Sequence, residues 1–272
     1  MKNILITGSN GYIARNIASK LKNYNLTLVN KNQLDLTDSH NVDAFFKDKY
    51  FDVVIQTAVK GGTRLVQDTE NDVYHNCLIH LNLLRNQKNF GKYISFGSGA
   101  ELNRNSNIGI NSNMNESFPT DPYGMSKWLI AKTGESYDKF YNIRIFNIFN
   151  EDELPTRMIK NNIFRYIDKK NIIIHQDKYM DFMYFDDFIK IIEFFINNDD
   201  CPKSINCCYE QKYLLTDIAK IINNLNEYHV DIEIENEGLA NSYIGQYELD
   251  KYNIEVSSLE LGIKKCYQKF LG

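Results

Sequence analysis

The chain has 272 residues with 31 basic and 35 acidic side chains, and 43% of its residues are hydrophobic. That length allows one large α/β domain, or a nucleotide-binding domain with a small addition, and the composition is sufficient to bury a core. A formal net charge of -4 argues against a basic surface for nucleic acid. No apolar run approaches the length of a membrane span, so we expect neither a nucleic acid nor a membrane as a partner.

Cysteine usage argues against a zinc site and against a disulfide framework. The chain has five cysteines, an odd number, with no C-x-x-C pair and no clustered histidines around them. A strand-like sequence begins at Lys2, which leaves no room for a signal peptide. We therefore predict a cytoplasmic protein without a metal site.

Short apolar runs alternate with helical patterns along the first 150 residues. Strands are predicted at residues 3–7, 26–29, 52–55, 92–96 and 143–146, and helices from 11, from 38–39, at 71–89 and at 124–140. This alternation predicts an α/β fold with a doubly wound parallel sheet, in which ligands bind beyond the carboxyl ends of the strands. Gly8, Ser98 and Asn147 lie at three of those ends.

The alternation loosens after about residue 150. Helices are predicted near 156–168, 186–197 and 214–226, and strands near 171–174, 204–207 and 230–234. We predict a dinucleotide-binding Rossmann domain at 1–150. Residues 151–272 are predicted to form mainly a small α/β substrate-binding cap, with segments near 171–195 and 204–207 returning to the Rossmann part.

A glycine turn joins the first predicted strand to the first helix, with the sequence TGSNGYIA at residues 7–14. Gly8 makes the turn, Gly11 allows a pyrophosphate to reach the helix N-terminus, and Ala14 allows the helix to pack tightly on the strand. A purely structural turn is the alternative, but the position at the start of a βαβ series favours a dinucleotide site. We assign to this site Gly8, Asn10, Gly11, Tyr12 and Ile13.

The residues after the second strand bear on the choice of nicotinamide cofactor. An acidic residue there holds a ribose 2′-hydroxyl, whereas a cation accepts a 2′-phosphate. Lys31 occupies that place and favours NADP(H), with NAD(H) as the second choice and a solvated surface lysine as the alternative interpretation. Asp35 and Leu36 lie further along, where they could flank the adenine.

Tyr123 and Lys127 form a Y-x-x-x-K pattern, which places both side chains on one face of a predicted helix. An ammonium group beside a phenol favours the phenolate and prepares the tyrosine for proton transfer near neutral pH. The same pattern recurs by chance at Tyr166 with Lys170 and at Tyr247 with Lys251. Only Tyr123 follows a buried strand that ends in a small hydroxyl residue, Ser98, so the other two copies are interpreted as solvated charges.

With these residues in place, the chain resembles the extended short-chain dehydrogenase/reductase family, in its NAD-dependent epimerase/dehydratase group that acts on nucleotide sugars. Further matching segments are residues 180–187 (MDFMYFDD), where Met180 replaces the usual arginine, 204–206 (SIN), 215–218 (LTDI) and 258–263 (SLELGI). Within the group, residues 57–62 (TAVKGG) and 75–77 (HNC) are most similar to GDP-L-fucose synthases and related 4-ketoreductases.

The resemblance implies a role for each matching residue. Ser98 would hydrogen-bond the sugar C4 oxygen, Tyr123 would exchange a proton with that oxygen, and Lys127 would hold the nicotinamide ribose, while hydride passes between the nicotinamide and C4. The implied cofactor contacts also include Thr57, Ala58, Val59 and Asn76. The implied substrate contacts are Gly99, Ala100, Asn147 and Arg157. A plain turn residue is the alternative for Asn147, and Arg157 could grip the diphosphate.

Two departures from the GDP-L-fucose synthases bear on the reaction. Those enzymes epimerise C3 and C5 with a cysteine two residues after the catalytic serine and with a histidine, and this chain has Ala100 and Arg157 there. Alanine cannot remove a carbon-bound proton, and arginine is a poor general acid. The prediction is therefore NADPH-dependent reduction of the C4 keto group of a nucleotide-4-keto-6-deoxysugar, without C3/C5 epimerisation. The enzyme either has lost that step or receives a substrate that is already epimerised. Relatives often dimerise through the Y-x-x-x-K helix, which implies a homodimer.

Other functions stay open at this point. A nucleotide-sugar 4-epimerase would use the same serine, tyrosine and lysine with a tightly bound NAD. A 4,6-dehydratase would need an acidic pair just after the catalytic hydroxyl, where this chain has only Glu101. A non-catalytic dinucleotide-sensing regulator on the same fold would typically lack the tyrosine and lysine that this chain retains.

Overall fold

Buried apolar strands form the centre of the protein, whose computed structural model describes residues 1–62 and 66–272. The strands are β1 (Asn3–Thr7), β2 (Asn25–Val29), β3 (Phe51–Gln56), β4 (Phe90–Ser98), β5 (Phe140–Ile145), β6 (Ile148–Phe149), β7 (Ile172–Asp177), β8 (Met183–Tyr184), β9 (Ser204–Cys207) and β10 (Ile232–Leu239). The helices are α1 (Tyr12–Lys20), α2 (Ser39–Phe46), α3 (Glu70–Leu84), α4 (Pro122–Gly134), α5 (Met158–Ile167), α6 (Phe185–Asn197), α7 (Leu215–Asn223) and α8 (Leu259–Leu271).

Six of these strands form one sheet in the order β2-β1-β3-β4-β5-β9. β1 pairs in parallel with both β2 and β3, and β3 pairs in parallel with β4. The strand order therefore reverses at β1, and the loops after β1 and β3 leave the same edge of the sheet side by side. The predicted doubly wound α/β fold is confirmed, and its switch point is where such sheets bind ligands.

The sheet is buried because its strands are apolar on both faces. Ile4, Leu5 and Ile6 of β1 are fully buried, as expected for a strand covered by helices on both sides. His80 also lies in this core, where its Nδ1 is 3.2 Å from the Tyr93 hydroxyl. Burial, together with the charge of Lys127, lowers the pKa of His80 to about 3, so this histidine is neutral and structural.

Two helices end earlier than the sequence pattern predicts. α3 ends at Leu84 rather than near 89, where a 3₁₀ turn at 87–89 leads into β4. α4 ends at Gly134 rather than near 140. A side chain at Gly134 would meet the Phe140 ring at 2.3 Å, so the chain turns tightly here and returns directly to β5. A periodicity count cannot detect such a turn, because it depends on a contact with the next strand.

The chain divides into two compact units. Unit 1 comprises residues 1–105, 113–144 and 193–205, and unit 2 comprises 106–112, 145–192 and 206–272. In unit 2, β7 pairs in parallel with β10, and β6 pairs in parallel with β8. None of the helices in the described ranges is both long and apolar enough to cross a membrane.

Both chance Y-x-x-x-K matches lie in unit 2, and one of them behaves differently from its prediction. Tyr166 is fully buried, stacks on Tyr228 with ring centroids 4.6 Å apart, and donates its hydroxyl proton to the Tyr228 carbonyl. The interpretation of Tyr166 as a solvated residue was wrong, because the pattern does not report that the ring completes this core. Lys170 and Lys251 are indeed solvent-exposed and pair with Asp168 and Glu248.

Candidate active site

The glycine turn follows β1 directly and has little room for side chains. Gly8 has a φ of +63°, and a Cβ atom there would lie 2.8 Å from the Cα and the nitrogen of Ala58. The Gly11 N–H donates to the Gly8 carbonyl at 2.9 Å, which closes the turn. Glycine is required at position 8 both by the left-handed backbone and by the close approach of the loop after β3.

The amino terminus of α1 is suited to a phosphate group. Its N-cap residue is Gly11, which has no side chain to cap the helix, and no acidic residue lies in the first turn. In the same unit, Asp38 caps α2 and Asp121 caps α4 by accepting backbone N–H bonds. Because the positive end of α1 receives no carboxylate of its own, the turn at Gly8 and Gly11 fits the diphosphate of a dinucleotide.

The residues after β2 differ in their exposure and in their contacts with the rest of the protein. The side chain of Lys31 is 79% exposed, and its Nζ is 4.0 Å from the Asp35 carboxylate. Asp35 accepts hydrogen bonds from the Thr37 hydroxyl at 2.6 Å and from the Thr37 N–H at 2.9 Å. These bonds, the hydroxyl first, lower the pKa of Asp35. Leu36 is buried, and its carbonyl accepts from Asn82. Asp35 and Leu36 are therefore held by the protein, whereas Lys31 is an exposed cation at this strand end.

The loop after β3 is fixed to its neighbours through polar side chains. The Thr57 hydroxyl donates to the Thr7 carbonyl at 2.6 Å, which ties the loop to β1. Asn76 on α3 brackets Lys60, since it donates to the Lys60 carbonyl and accepts from the Lys60 N–H, both at 2.8 Å. Asn76 also donates to the Ser126 hydroxyl of α4 at 3.3 Å. Thr57 and Ala58 therefore lie close to Gly8, and Asn76 holds the same loop at Lys60. Val59 is 45% exposed.

Ser98 ends β4 and begins a 3₁₀ turn at 99–102. Its hydroxyl oxygen accepts from the Ala100 N–H at 3.2 Å, and its own N–H donates to the Glu101 carboxylate at 2.8 Å. Ser98 is 7% exposed and Ala100 is 1% exposed. The turn thus fixes the Ser98 side chain at the carboxyl end of the sheet, and Gly99 and Ala100 form that turn.

Tyr123 and Lys127 lie one turn apart at the start of α4. Asp121 caps this helix by accepting from Gly124, and Pro122 occupies its first position, so the start of the helix is firmly set. The Lys127 ammonium lies 5.8 Å from the centroid of the Tyr123 ring and donates to the Phe96 carbonyl of β4 at 2.7 Å. The helix and the central strand together therefore position this cation beside the phenol.

The pKa of Lys127 lies close to neutral pH. Lys127 is buried, and burial lowers its pKa to about 8, although the nearby charge of Glu101 opposes that shift. A lysine in this state is charged at pH 7 and loses its proton more readily than a surface lysine.

Glu101 and Arg144 belong to this neighbourhood, and the sequence did not indicate them as a pair. The Glu101 side chain is fully buried, and it accepts from Arg144 Nε at 2.9 Å and from Asn142 at 3.0 Å, besides the Ser98 N–H. The sequence offered one indication of a buried ion pair: Arg144 is a charged residue inside an apolar strand, flanked by Ile143 and Ile145. Glu101 is thus a buried support for Ser98.

The two predicted substrate residues of unit 2 lie together. Arg157 precedes α5, and its Nη2 donates to the Asn147 side-chain oxygen at 3.4 Å. Asn147 in turn donates to the Asp181 carbonyl at 2.9 Å. Met180, at the position where the family has an arginine, is 7% exposed. The Asp181 carboxylate pairs with Lys212 at 2.9 Å, and its pKa is raised to about 6 because burial outweighs that partner.

The described residues contain no group of three or more histidine, cysteine, aspartate or glutamate side chains arranged to hold a metal ion. The five cysteines are free thiols.

Comparison with known proteins adds to this geometry. A family model described as the NAD dependent epimerase/dehydratase family matches residues 4–208. GDP-L-colitose synthase of Yersinia pseudotuberculosis is 24% identical over 301 aligned residues, covering 99% of this chain and 98% of that protein. The structure is similar to MlghC, a GDP-mannoheptose C4 reductase from Campylobacter jejuni with NADP bound, with a TM-score of 0.83, 19% identity and coverage of 100% and 98% of the two chains. UDP-glucose 4-epimerase of Thermotoga maritima, with UDP-glucose, gives a TM-score of 0.82 at 17% identity over 99% and 98%.

Proposed function

This chain belongs to the NAD dependent epimerase/dehydratase family, and on that premise we propose that it reduces the C4 keto group of a nucleotide-4-keto-6-deoxysugar with NADPH. The observation that carries the proposal is the placement of Lys127 beside the ring of Tyr123 and on the backbone of β4, two residues before Ser98. A hydroxyl, a phenol and an ammonium group on neighbouring elements are what proton transfer to a sugar oxygen requires.

The roles follow from the chemistry of each group. A bound nicotinamide supplies the hydride that C4 receives, and the turn at Gly8 and Gly11 holds its diphosphate. Ser98 donates a hydrogen bond to the C4 oxygen and so stabilises the negative charge that develops there. Tyr123 gives its phenolic proton to that oxygen. Lys127 holds its ammonium beside the phenol, which favours the phenolate that remains, and solvent then restores the proton.

The proposal also specifies that the chain reduces C4 without epimerising C3 or C5. Ala100 offers only a buried methyl group at the position of the cysteine in GDP-L-fucose synthases. Arg157, at the position of their histidine, stays charged and is a poor acid. Glu101 is an unsuitable acid for a dehydratase, because its carboxylate is fully buried against Arg144 and Asn142.

The preference for NADPH is supported by Lys31, a cation after β2 whose side chain is 79% exposed and whose ammonium is 4.0 Å from the Asp35 carboxylate. The relative MlghC was solved with NADP bound. A 4-epimerase that keeps NAD bound is the second candidate, favoured by the likeness to a UDP-glucose 4-epimerase and by the fact that it needs the same three side chains.

The test is a panel of GDP-, dTDP-, UDP- and CDP-4-keto-6-deoxysugars with NADPH or NADH, followed by absorbance at 340 nm. We expect net NADPH oxidation with at least one sugar, and no deuterium at C3 or C5 above a control without enzyme when the reaction runs in deuterated water. Enzyme-dependent deuterium at either carbon would overturn the absence of epimerisation. Turnover of UDP-glucose without added cofactor, and no oxidation with any keto sugar, would favour the epimerase.

A further inference from the structure

Arg104 lies over the ring of the proposed proton donor. Its guanidinium carbon is 5.5 Å from the centroid of the Tyr123 ring, within the range of a cation–π contact. Arg104 follows the 3₁₀ turn that comes after β4. Among the residues that the structure describes, two cations therefore lie within 6 Å of the ring centroid: Lys127, on the same helix as Tyr123, and Arg104, from another segment.

Two carboxylates from separate segments hold Arg104 in that place. Its Nη2 lies 2.5 Å from Asp121, the residue that caps α4, and 3.3 Å from Asp68, which precedes α3. The side chains of Asp68 and Asp121 are only 9% and 14% exposed, whereas that of Arg104 is 37% exposed. An exposed ion pair contributes little by itself, but two partly buried partners fix the direction of the guanidinium group.

The Asp68 carboxylate also holds the backbone of Gly62, against which the Tyr123 ring packs. Asp68 accepts from the Gly62 N–H at 2.6 Å through its second oxygen. Gly62 has a φ of +73°, and a Cβ atom there would lie 2.4 Å from Cε2 of Tyr123. Asp68 thus connects Gly62 and Arg104, two groups that touch or face the Tyr123 ring.

We propose that Arg104 is a positioning residue for Tyr123, held by Asp68 and Asp121 so that its charge faces the ring from which the proton leaves. The inference rests on the proposed proton donation by Tyr123. When the phenol gives its proton to the C4 oxygen, the ring gains negative charge, and a fixed cation stabilises that state more than the neutral phenol. Arginine suits this task because it stays charged at every working pH and presents a planar fork to its partners.

The experiment compares Arg104→Ala, Arg104→Lys and Asp68→Asn with the wild type, using the keto sugar that the panel identifies. We expect Arg104→Ala to lower kcat by about 10-fold with KM for the sugar changed by less than about 2-fold. Arg104→Lys should recover most of the loss, and Asp68→Asn should fall between the two. Arg85→Ala is the matched control, because Arg85 makes an exposed ion pair with Asp43 at 2.7 Å away from the proposed site.

An unchanged kcat in Arg104→Ala would overturn the proposal, and so would a loss that Arg104→Lys does not recover. If the wild type reduces no keto sugar, the proposed function fails by itself, and crystal structures of the wild type and Arg104→Ala then decide. A Tyr123 ring that moves or becomes disordered in the variant supports the positioning role. A ring in the same rotamer with the same order contradicts it.

Discussion

Each unit contains a buried glutamate paired with an arginine just beyond a strand, and the two pairs differ in how completely they are satisfied. In unit 1, the Glu101 carboxylate accepts from Arg144, Asn142 and the Ser98 N–H at 2.8 to 3.0 Å. In unit 2, Glu153 is 4.0 Å from Arg157, and among the described residues its Oε1 has no hydrogen-bond partner.

Hydrogen bonds hold the Glu101 carboxylate in place, whereas Glu153 can change its charge near neutral pH. A buried ion pair is tolerated when hydrogen bonds complete it, which is the situation of Glu101. Burial raises the pKa of Glu153 to about 7, and the charges of Arg157 and Lys160 offset that only in part. A change in the protonation of Glu153 near neutral pH therefore changes the charge beside Arg157.

The largest effect on activity is expected at Tyr123 in unit 1. A variant of Arg157 provides the comparison in unit 2. Without its hydroxyl, Tyr123→Phe cannot donate a proton, so kcat should fall by roughly 10²- to 10⁴-fold while the NADPH dissociation constant stays within about 2-fold. Arg157→Gln should instead raise KM for the nucleotide sugar, with kcat within about 3-fold of the wild type. Steady-state kinetics and fluorescence titration with NADPH measure both. A Tyr123→Phe enzyme that keeps most of its kcat would contradict the assigned acid.

The next effect is on the stability of unit 1. Glu101→Gln leaves the Arg144 guanidinium buried without a counter-charge, and we expect a loss of about 3 kcal/mol in the free energy of unfolding. The double variant Glu101→Gln/Arg144→Gln should be less destabilised than the sum of the single variants.

Glu135→Gln serves as the control for this measurement, because its ion pair with Lys132 is solvent-exposed and should contribute less than about 0.5 kcal/mol. Urea unfolding of the wild type, Glu101→Gln, Arg144→Gln, the double variant and the control gives the comparison. A Glu101→Gln protein as stable as the control would show that the buried pair does not stabilise the folded state.

These pairs also mark the limit of what the sequence predicts. The glycine turn, the alternation of strands with helices and the spacing of Tyr123 and Lys127 are local patterns, so they could be read directly from neighbouring residues. Glu101 and Arg144 are 43 positions apart, and only the adjacency of β4 and β5 joins them. Arg104 gave no signal, since a loop arginine is usually solvated and its two carboxylate partners come from distant segments.

Spacing alone also fails to separate the proposed proton donor from a core tyrosine. Tyr166 and Tyr123 share the same Y-x-x-x-K pattern, yet Tyr166 is fully buried with its hydroxyl on the Tyr228 carbonyl. What distinguishes Tyr123 is its tertiary neighbourhood, because Lys127 reaches the backbone of β4 from the same helix. The sequence indicated that difference only through the strand ending at Ser98.

The smallest expected effect concerns Glu153 and the pH dependence of stability. Its folded pKa of about 7 lies above its ordinary value of 4.5, so the folded state favours the protonated form. The stability that this preference provides is fully present below pH 4.5 and is lost as the pH rises through 7. Glu153→Gln should therefore be more stable than the wild type at pH 8, by a free energy of unfolding of the order of 2 kcal/mol, with the gain vanishing near pH 4.5.

Urea unfolding at several pH values checks this, and the difference between the two proteins isolates Glu153, because the raised pKa of Asp181 is common to both. Glu233→Gln on the exposed strand β10 is the control and should show no pH-dependent difference. A Glu153→Gln protein that is less stable than the wild type at pH 8 would mean that the ionised carboxylate is well paired with Arg157. The two glutamate–arginine pairs would then be equivalent, and the segment around Arg157 would be as fixed as the surroundings of Ser98.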